Sequence, residues 1–457
     1  MASLTPPNIL FFLPDQHRPD WLGFNSDLPV RTPNLDRLRA SGVQFRNAFT
    51  PSPLCAPARA CLASGLEYER CRVPSNRENY PVDLPTYCQR LRDAGYRVCG
   101  VGKFDLHKDL ATPVAELDWH LDGSRSLEEW GFTEGIDNEG KIDGSSSYKA
   151  AGKPKGPYLH YLCEQGLADT YVREHEERQK YRDAYVTSLP EEAYCDNWVS
   201  ENGLSFLHNF PTDQPWHLVV NFTGPHNPMD VTQRMHDAWK DVQFPMPVEN
   251  EQEDYSVDDH QRNRRYYAAM IENIDRQVGR FLDAVEERGE LERTLVVYAS
   301  DHGEMLGDHN LWGKSTWYTP ASGIPLIVAG PGMKKGVSNS ALTSLHDLTA
   351  TFLDYARTPP LPSMDARSLR PVLEGKTEQH REYVVSGLNG WRMLFDGRYK
   401  LVTRQDAPPL LYDLQEDPQE TNDIASANPH VVNTLAAFRS LKTRSGCRVN
   451  AELRPDR

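Results

Sequence analysis

The sequence predicts an α/β fold: a large, mostly parallel sheet sandwiched by helices, followed by a small C-terminal subdomain of short antiparallel strands and a helix. Two observations predict it. Through the first three-quarters of the 457-residue chain, apolar strand-like runs alternate with amphipathic helical patterns. Strands that alternate with helices pack as a parallel sheet covered on both faces. After about residue 376 the pattern changes to short strand segments separated by turn residues, with one more helix behind them. The expected division is therefore 1–375 and 376–457.

The elements follow in order. Asn8–Leu13 is almost wholly apolar and reads as a buried strand. Thr32–Ala40 reads as a helix, with Thr32 as cap, Pro33 in the first position and Gly42 beyond the end. Pro85–Ala94 is a second helix closed by Gly95, and Tyr96–Val101 the strand after it. Leu218–Phe222 and Leu295–Ala299 are further buried strands. Between them, Arg264–Arg288 places Tyr267, Met270, Ile271, Ile274, Val278, Phe281, Leu282 and Val285 on one helical face. The stretch 103–182 has weak periodicity and much Gly, Ser and charge. It reads as loops and insertions at the rim of a site, or equally as a solvated excursion. Tyr383–Ser386, Trp391–Phe395 and Tyr399–Thr403 read as strands, Asp396-Gly397 as a hairpin turn, and Pro429–Lys442 as a helix.

Composition narrows the function. At 39% apolar and 25% charged residues the chain has the make-up of a globular protein. A formal net charge of −15 argues against general affinity for nucleic acid or anionic membranes. No run approaches the roughly 18 apolar residues of a membrane span. The start has no basic segment before its first apolar run, so a cytoplasmic location is expected. The eight cysteines (55, 61, 71, 88, 99, 163, 195, 447) form no CxxC pair and no zinc spacing, and are expected to be mostly reduced.

One of them stands in Pro53-Leu54-Cys55-Ala56-Pro57-Ala58-Arg59. Alone, Cys55 reads as well as a small buried thiol. Its Cys-x-Pro-x-Arg pattern resembles the maturation and active-site motif of the sulfatases, in the alkaline-phosphatase-like superfamily. Four other segments, in the order the family requires, share the resemblance. Leu13-Pro14-Asp15-Gln16 ends the first strand, where ligands bind in open α/β sheets. Gly102-Lys103-Phe104-Asp105-Leu106-His107 resembles the family's Gly-Lys-x-His, but with Asp105 in the histidine position and a histidine two residues later. Gly224-Pro225-His226-Asn227-Pro228 resembles the Pro-His-x-Pro turn. Ser300-Asp301-His302-Gly303-Glu304-Met305-Leu306-Gly307, followed by Trp312-Gly313-Lys314, resembles the segment that completes the metal site and carries the leaving-group lysine. Leu411–Glu420 resembles a recurring pattern of the family's C-terminal subdomain.

The resemblance implies hydrolysis of sulfate monoesters. Cys55 would be oxidised to Cα-formylglycine by a formylglycine-generating enzyme. One hydroxyl of the hydrated aldehyde would attack sulfur, and the other would allow sulfate to be expelled. One divalent cation is implied, bound by Asp15, Gln16, Asp301 and His302 beside residue 55. Oxygen ligands with one imidazole suit Ca²⁺, Mg²⁺ or Mn²⁺, and the family favours Ca²⁺. Arg59, Lys103 and Lys314 are implied as cations on the sulfuryl oxygens, and His226 and Lys314 as groups at the leaving oxygen. His107 is the candidate for removing the second hydroxyl's proton. His309 is expected at the surface. A phosphonate monoester hydrolase or phosphodiesterase would use the same framework, and an unmatured protein would at most bind sulfated ligands. After Lys314 the chain reads Thr319-Pro-Ala-Ser-Gly-Ile-Pro325, where choline sulfatase and others have a Glu and an Arg. Substrate identity therefore does not transfer, and oligomeric state is not indicated.

Overall fold

A computed structural model describes residues 6–446, apart from 26, 109, 110, 179, 180, 250, 252 and 253. Eight strands form the main sheet: β1 (Asn8–Phe12), β2 (Gly42–Phe49), β3 (Arg97–Gly102), β4 (Glu134–Asp137), β5 (Trp216–Asn221), β6 (Thr294–Ala299), β7 (Leu326–Ala329) and β8 (Val337–Ser344). Their spatial order is β8-β2-β7-β6-β1-β5-β3-β4. β7 runs antiparallel to both its neighbours, and the remaining pairs are parallel.

β1 is central and shows why the sheet has two covered faces. A strand's side chains alternate, so Ile9, Phe11 and Leu13 enter one core and Leu10 and Phe12 the other. All five are at most 2% exposed, and each buried side chain of this size contributes roughly 1.5–3 kcal/mol. The first core is closed by helices Cys55–Ser64, Tyr87–Asp93 and Asp347–Tyr355, the second by Cys195–Asn209 and the long Val257–Glu287. That long helix starts earlier than its apolar stripe, because Ser256 and Asp259 form a capping box.

Local differences from the sequence reading have physical causes. Thr32 occupies the cap position, but its hydroxyl accepts from Gly23 N and donates to Asp36 instead of capping the helix backbone. Gly42 does not end that helix; it opens β2, where a Cβ would sit 2.2 Å from the Val328 carbonyl oxygen. The stretch 103–182 is not mainly loop. It holds helices Lys141–Ala151, Pro157–Glu164 and Ala168–Glu177, besides β4. Lys141–Ala151 contains Gly144 and three consecutive serines, which are weak helix formers. It is held by packing: Gly144 lies buried against Glu139 and Leu159, and Ser145 is buried beside it.

The C-terminal sheet comprises β9 (Val384–Leu388), β10 (Trp391–Phe395), β11 (Tyr399–Arg404) and β12 (Ala407–Asp413), antiparallel and in chain order. At the Asp396-Gly397 hairpin between β10 and β11, Gly397 has φ 102° and Asp396 Oδ1 accepts from the Arg398 and Tyr399 amides. The helix Pro429–Gly446 packs behind it. Phe49 and Leu342 of the main sheet join Val384, Trp391 and Phe395 in one apolar cluster, so the two sheets share a core. The seven described cysteines form no disulfide, and Cys447 lies outside the described residues. Among the described residues no helix is long and apolar enough to cross a membrane.

Candidate active site

Four adjacent strands, β6, β1, β5 and β3, send their carboxyl ends to one place. β1 delivers Asp15 and Gln16, β6 delivers Asp301 and His302, β3 delivers Lys103, and β5 delivers Asn221 and then His226. Two close backbone approaches make this possible. Gly102, at φ 102°, lies against the Asn221 carbonyl, where a Cβ would come within 1.9 Å. Gly303 lies equally close to the Pro320 carbonyl. Neither position admits a side chain.

The helix Cys55–Ser64 faces these strand ends with its N-terminus. Pro57 is tolerated because the first turn needs no amide there. Cys55 and Arg59 are four residues apart and so share a helical face. The spacing of Cys-x-Pro-x-Arg thus has a geometric reason. It sets residue 55 at the positive end of a helix dipole, with a guanidinium one turn behind it.

Around the Cys55 sulfur stand His302 Nε2 at 3.3 Å, Lys314 Nζ at 3.2 Å, Asp15 Oδ1 at 3.8 Å and Lys103 Nζ at 3.9 Å. Arg59 Nε donates to Asp301 Oδ2 at 3.0 Å, and its Nη2 is buried with no hydrogen-bond partner. Lys103 pairs with Asp15. Asp15, Asp301 and His302 are fully buried, whereas the Lys314 side chain is 12% exposed and His226 is half-buried, which makes these two the rim. Burial and Asp15 push the Cys55 thiol up, but Lys103, Lys314 and His302 outweigh them and bring it down to about 6. Burial also raises the Asp15 carboxyl, yet Lys103, Lys314, His226 and Arg59 hold it well below the usual range. The position of the sulfur is one where negative charge is stabilised.

The side chains also fit a hard divalent cation. One ligand atom from each of Asp15, Cys55, Asp301 and His302 lies within 4.8 Å of the others. His302 Nδ1 faces the Gly303 carbonyl at 3.0 Å and must be the protonated nitrogen, since a carbonyl only accepts. In the neutral ring Nε2 then presents its lone pair 3.7 Å from both Asp15 Oδ1 and Asp301 Oδ2, the tautomer a metal ligand needs. Gln16 Oε1 accepts from Lys314 Nζ at 2.5 Å, and its Nε2 faces Glu304 and Tyr181.

Two residues lie elsewhere than the sequence reading places them. His107 bonds Ser126 Oγ at 3.1 Å and lies edge-on to Trp130. Asp105, at φ 52°, is the residue of that loop turned to the site. It pairs with Lys103 at 3.1 Å and with Lys108, which Asp143 holds from the other side at 2.9 Å. Burial would raise Asp105, but Lys103, Lys108 and Arg59 hold it far below the usual carboxylate range. An anion between two lysines has taken the histidine position. His309 is only partly exposed: its side chain is 6% exposed and its ring stacks on Tyr318 at 4.0 Å.

Sequence reasoning missed three contributors. Glu304 and Asn221 stand inside or beside the motifs, and their acceptor oxygens reach Gln16 and Arg59. Glu420 closes the Leu411–Glu420 pattern. Its carboxylate takes Lys400 Nζ at 2.6 Å and the Thr319 amide at 2.6 Å, and Lys400 donates to the Trp317 carbonyl at 3.2 Å. The C-terminal sheet thereby grips the loop that follows Lys314.

A parallel sheet that gathers acidic ligand groups, cations and a helix N-terminus at its strand ends defines a hydrolase site for an anionic ester. The comparisons give the family. The family model described as Sulfatase matches residues 7–358, and the one described as N-sulphoglucosamine sulphohydrolase, C-terminal, matches 307–441. The chain belongs to the sulfatase family. It is 29% identical to a choline-sulfatase of Rhizobium meliloti, over 95% of this chain and 86% of that one. It is 26% identical to an arylsulfatase of Clostridium perfringens, over 93% and 91%. In fold it is similar to a phosphonate monoester hydrolase of Agrobacterium radiobacter, with a TM-score of 0.79, 23% identity and 96% of each chain covered.

Proposed function

We propose that this protein hydrolyses sulfate monoesters at residue 55. The observation that carries the reading is the ring of groups around the Cys55 sulfur. His302, Lys314 and Lys103 lie within 3.9 Å of it, and Arg59 has a nitrogen still to be used. Once matured to Cα-formylglycine and hydrated to the geminal diol, residue 55 would supply one hydroxyl to attack sulfur and a second whose deprotonation expels sulfate as the carbon returns to the aldehyde. A divalent cation, Ca²⁺ by family or Mg²⁺ or Mn²⁺ by ligand chemistry, would be held by Asp15, Gln16, Asp301 and His302 and would supply Lewis acidity.

The chain's own groups divide by depth. On the floor, Arg59 and Lys103 neutralise the sulfuryl oxygens as their charge grows, acting in a site that excludes water. The Asp301 carboxylate, with an oxygen within 4.8 Å of the Cys55 sulfur, would accept the proton of the attacking hydroxyl. Lys314 and His226 form the rim, so the ester's alcohol portion points outward between them. Burial and then Lys314 push His226 well below its ordinary value, and its Nδ1 faces the Asn227 carbonyl at 2.5 Å. The neutral ring is therefore favoured, and in it Nδ1–H donates to that carbonyl. Lys314 is the rim group with a proton to share with the departing oxygen. His107 has no part in this scheme, because the loop turns it to Ser126.

The test is a turnover screen across aryl, choline and sugar sulfates and phosphonate monoesters, with the mass of the Cys55 peptide measured on the same preparation. Turnover of sulfates with a peptide about 18 Da lighter is the expected result. Faster turnover of phosphonate monoesters would move the assignment to that activity. Full turnover with an intact Cys55 thiol would overturn the mechanism.

A further inference from the structure

Gln16 is the odd member of the ligand set. An amide has one end that accepts and one that donates, so it can ligate a cation only if it is turned the right way. Its backbone is held in the left-handed region, at φ 75°, which a non-glycine residue adopts only under constraint. Gln16 N donates to Asp301 Oδ1 at 3.0 Å, and its carbonyl accepts from Tyr267 OH at 2.6 Å. These bonds fix the backbone. They leave the amide free to face either way.

Glu304 decides the facing. It is fully buried, and no lysine or arginine is paired with it among the described ion pairs. Its Oε1 accepts from the Leu306 amide at 3.0 Å and the Gly313 amide at 2.6 Å. Its Oε2 accepts from Tyr181 OH at 2.7 Å and from Gln16 Nε2. On the other side Lys314 Nζ meets Gln16 Oε1 at 2.5 Å. A reversed amide would set oxygen against a carboxylate and NH₂ against an ammonium. Both contacts would be repulsive, so one orientation survives.

We propose that Glu304 is a positioning residue that holds the Gln16 amide with its oxygen toward the cation site, which allows this neutral amide to serve as a ligand beside the Asp15 carboxylate. The inference rests on the reading of Asp15, Gln16, Asp301 and His302 as a cation site. It also explains the type of residue at 304. A buried anion without a cationic partner is costly, and here it is what holds the donor end of Gln16.

Calcium affinity of the chelator-stripped full-length protein, measured by isothermal titration calorimetry, tests this without relying on turnover. Wild type should bind one Ca²⁺ ion. Glu304→Gln keeps the shape and can still accept from Leu306 and Gly313, but its NH₂ end then meets the Gln16 NH₂ and opposes the amide's present facing. It should bind Ca²⁺ at least tenfold more weakly, in the range seen when a metal ligand's supporting partner is lost. The decisive arm is Gln16→Asp, whose two carboxylate oxygens are equivalent. In that background Glu304→Gln should not weaken binding, because there is nothing left to orient. A Glu304 that only supports the loop would cost the same affinity in both backgrounds, and that result would overturn the proposal. So would unchanged affinity in Glu304→Gln itself. If Glu304→Gln does not fold alone, the two Gln16→Asp proteins carry the test, and weaker binding in the double variant overturns it. Absence of Ca²⁺, Mg²⁺ and Mn²⁺ binding by wild type would overturn the cation site and this inference with it.

Discussion

Two buried aspartates in this protein have nearly the same neighbours and do different work. Asp301, after β6, has Arg59 and His302 beside it. Asp347, after β8, has Arg381 and His380. Both are fully buried. Asp347 is saturated: Arg381 grips both its oxygens, His380 Nε2 donates at 3.0 Å, and the Ser344 and Arg367 amides complete the set. At Asp301, Oδ1 is occupied by the Gln16 and His302 amides, while Oδ2 has Arg59 and faces His302 Nε2 and the Asp15–Cys55 pair. The lesson is that a buried ion pair does not mark a site. Convergence of incompletely paired groups does, since each is held ready for a partner still to come.

The largest effect should come from the centre of the open cluster. Cys55→Ala should abolish sulfate-ester turnover in a folded protein, because the nucleophile's carbon chemistry is gone. Residual turnover above the background of a mock purification would mean that another group attacks sulfur. Asp301→Ala follows. It removes a ligand oxygen and strands Arg59, so Ca²⁺ retention after gel filtration should fall and turnover should drop by about two orders of magnitude or more. Chelation of wild type should do the same, reversibly. Unchanged metal content by elemental analysis would break the contrast with Asp347.

At the closed cluster the effect should appear in stability. Removing one partner of a buried pair costs about 3–5 kcal/mol, so Asp347→Ala should lower the denaturation midpoint accordingly, while kcat of the folded fraction stays near wild type. The sign of the pH dependence sharpens this. Burial would raise the Asp347 carboxyl, but Arg381 and His380 hold it well below its ordinary value. Its contribution is therefore fully present above the unfolded pKa of roughly 4, and is lost as pH falls from there toward the lowered folded value. Asp347→Ala should flatten the acid limb of the stability curve. A midpoint unchanged at pH 7 would contradict the reading of this cluster as structural.

Lys314 tests the division between floor and rim. A nitrophenolate leaves unaided, whereas an alkyl or sugar alkoxide needs its charge met. Lys314→Ala should cost about 3 kcal/mol, or two orders of magnitude at saturating substrate, for poor leaving groups and much less for good ones. Equal losses for both would place Lys314 on the sulfuryl oxygens alone.

Much of this arrangement was legible in the chain because strand ends and the Cys55 helix are set by local pattern. Leu10–Leu13 must be a buried strand, so Asp15 must stand at its end. The four-residue spacing of Cys55 and Arg59 fixes their shared face. What was not legible depended on contacts far apart in sequence. The helix Lys141–Ala151 is unfavourable by propensity and exists through its packing on Glu139 and Leu159. β2 went unread because Gly42 mimicked a helix stop, and its true constraint is the Val328 backbone across the sheet. Glu304 and Gln16 are 288 residues apart, and no periodicity links them.

The smallest expected effect is also the one that separates motif order from geometry. The family pattern makes a histidine of this loop a proton acceptor at the site, and position 107 is where the chain offers one. The structure gives that loop a different logic. Asp105 turns inward at φ 52° to pair with Lys103 and Lys108, and His107 goes to Ser126 and the edge of Trp130. His107→Ala should therefore lose at least the Ser126 hydrogen bond and the Trp130 ring contact, about 1 kcal/mol of stability or more, with kcat within about threefold of wild type. Asp105→Asn is the counterpart. It keeps the shape but leaves Lys103 and Lys108 facing each other without the anion between them, and it should lower kcat more than His107→Ala does. A collapse of kcat in His107→Ala, with Asp105→Asn unaffected, would mean that the loop re-forms around the substrate and that the histidine works after all. Comparable, small losses in both would mean that neither residue moves a proton, and that the second hydroxyl is deprotonated by a group on the other side of residue 55.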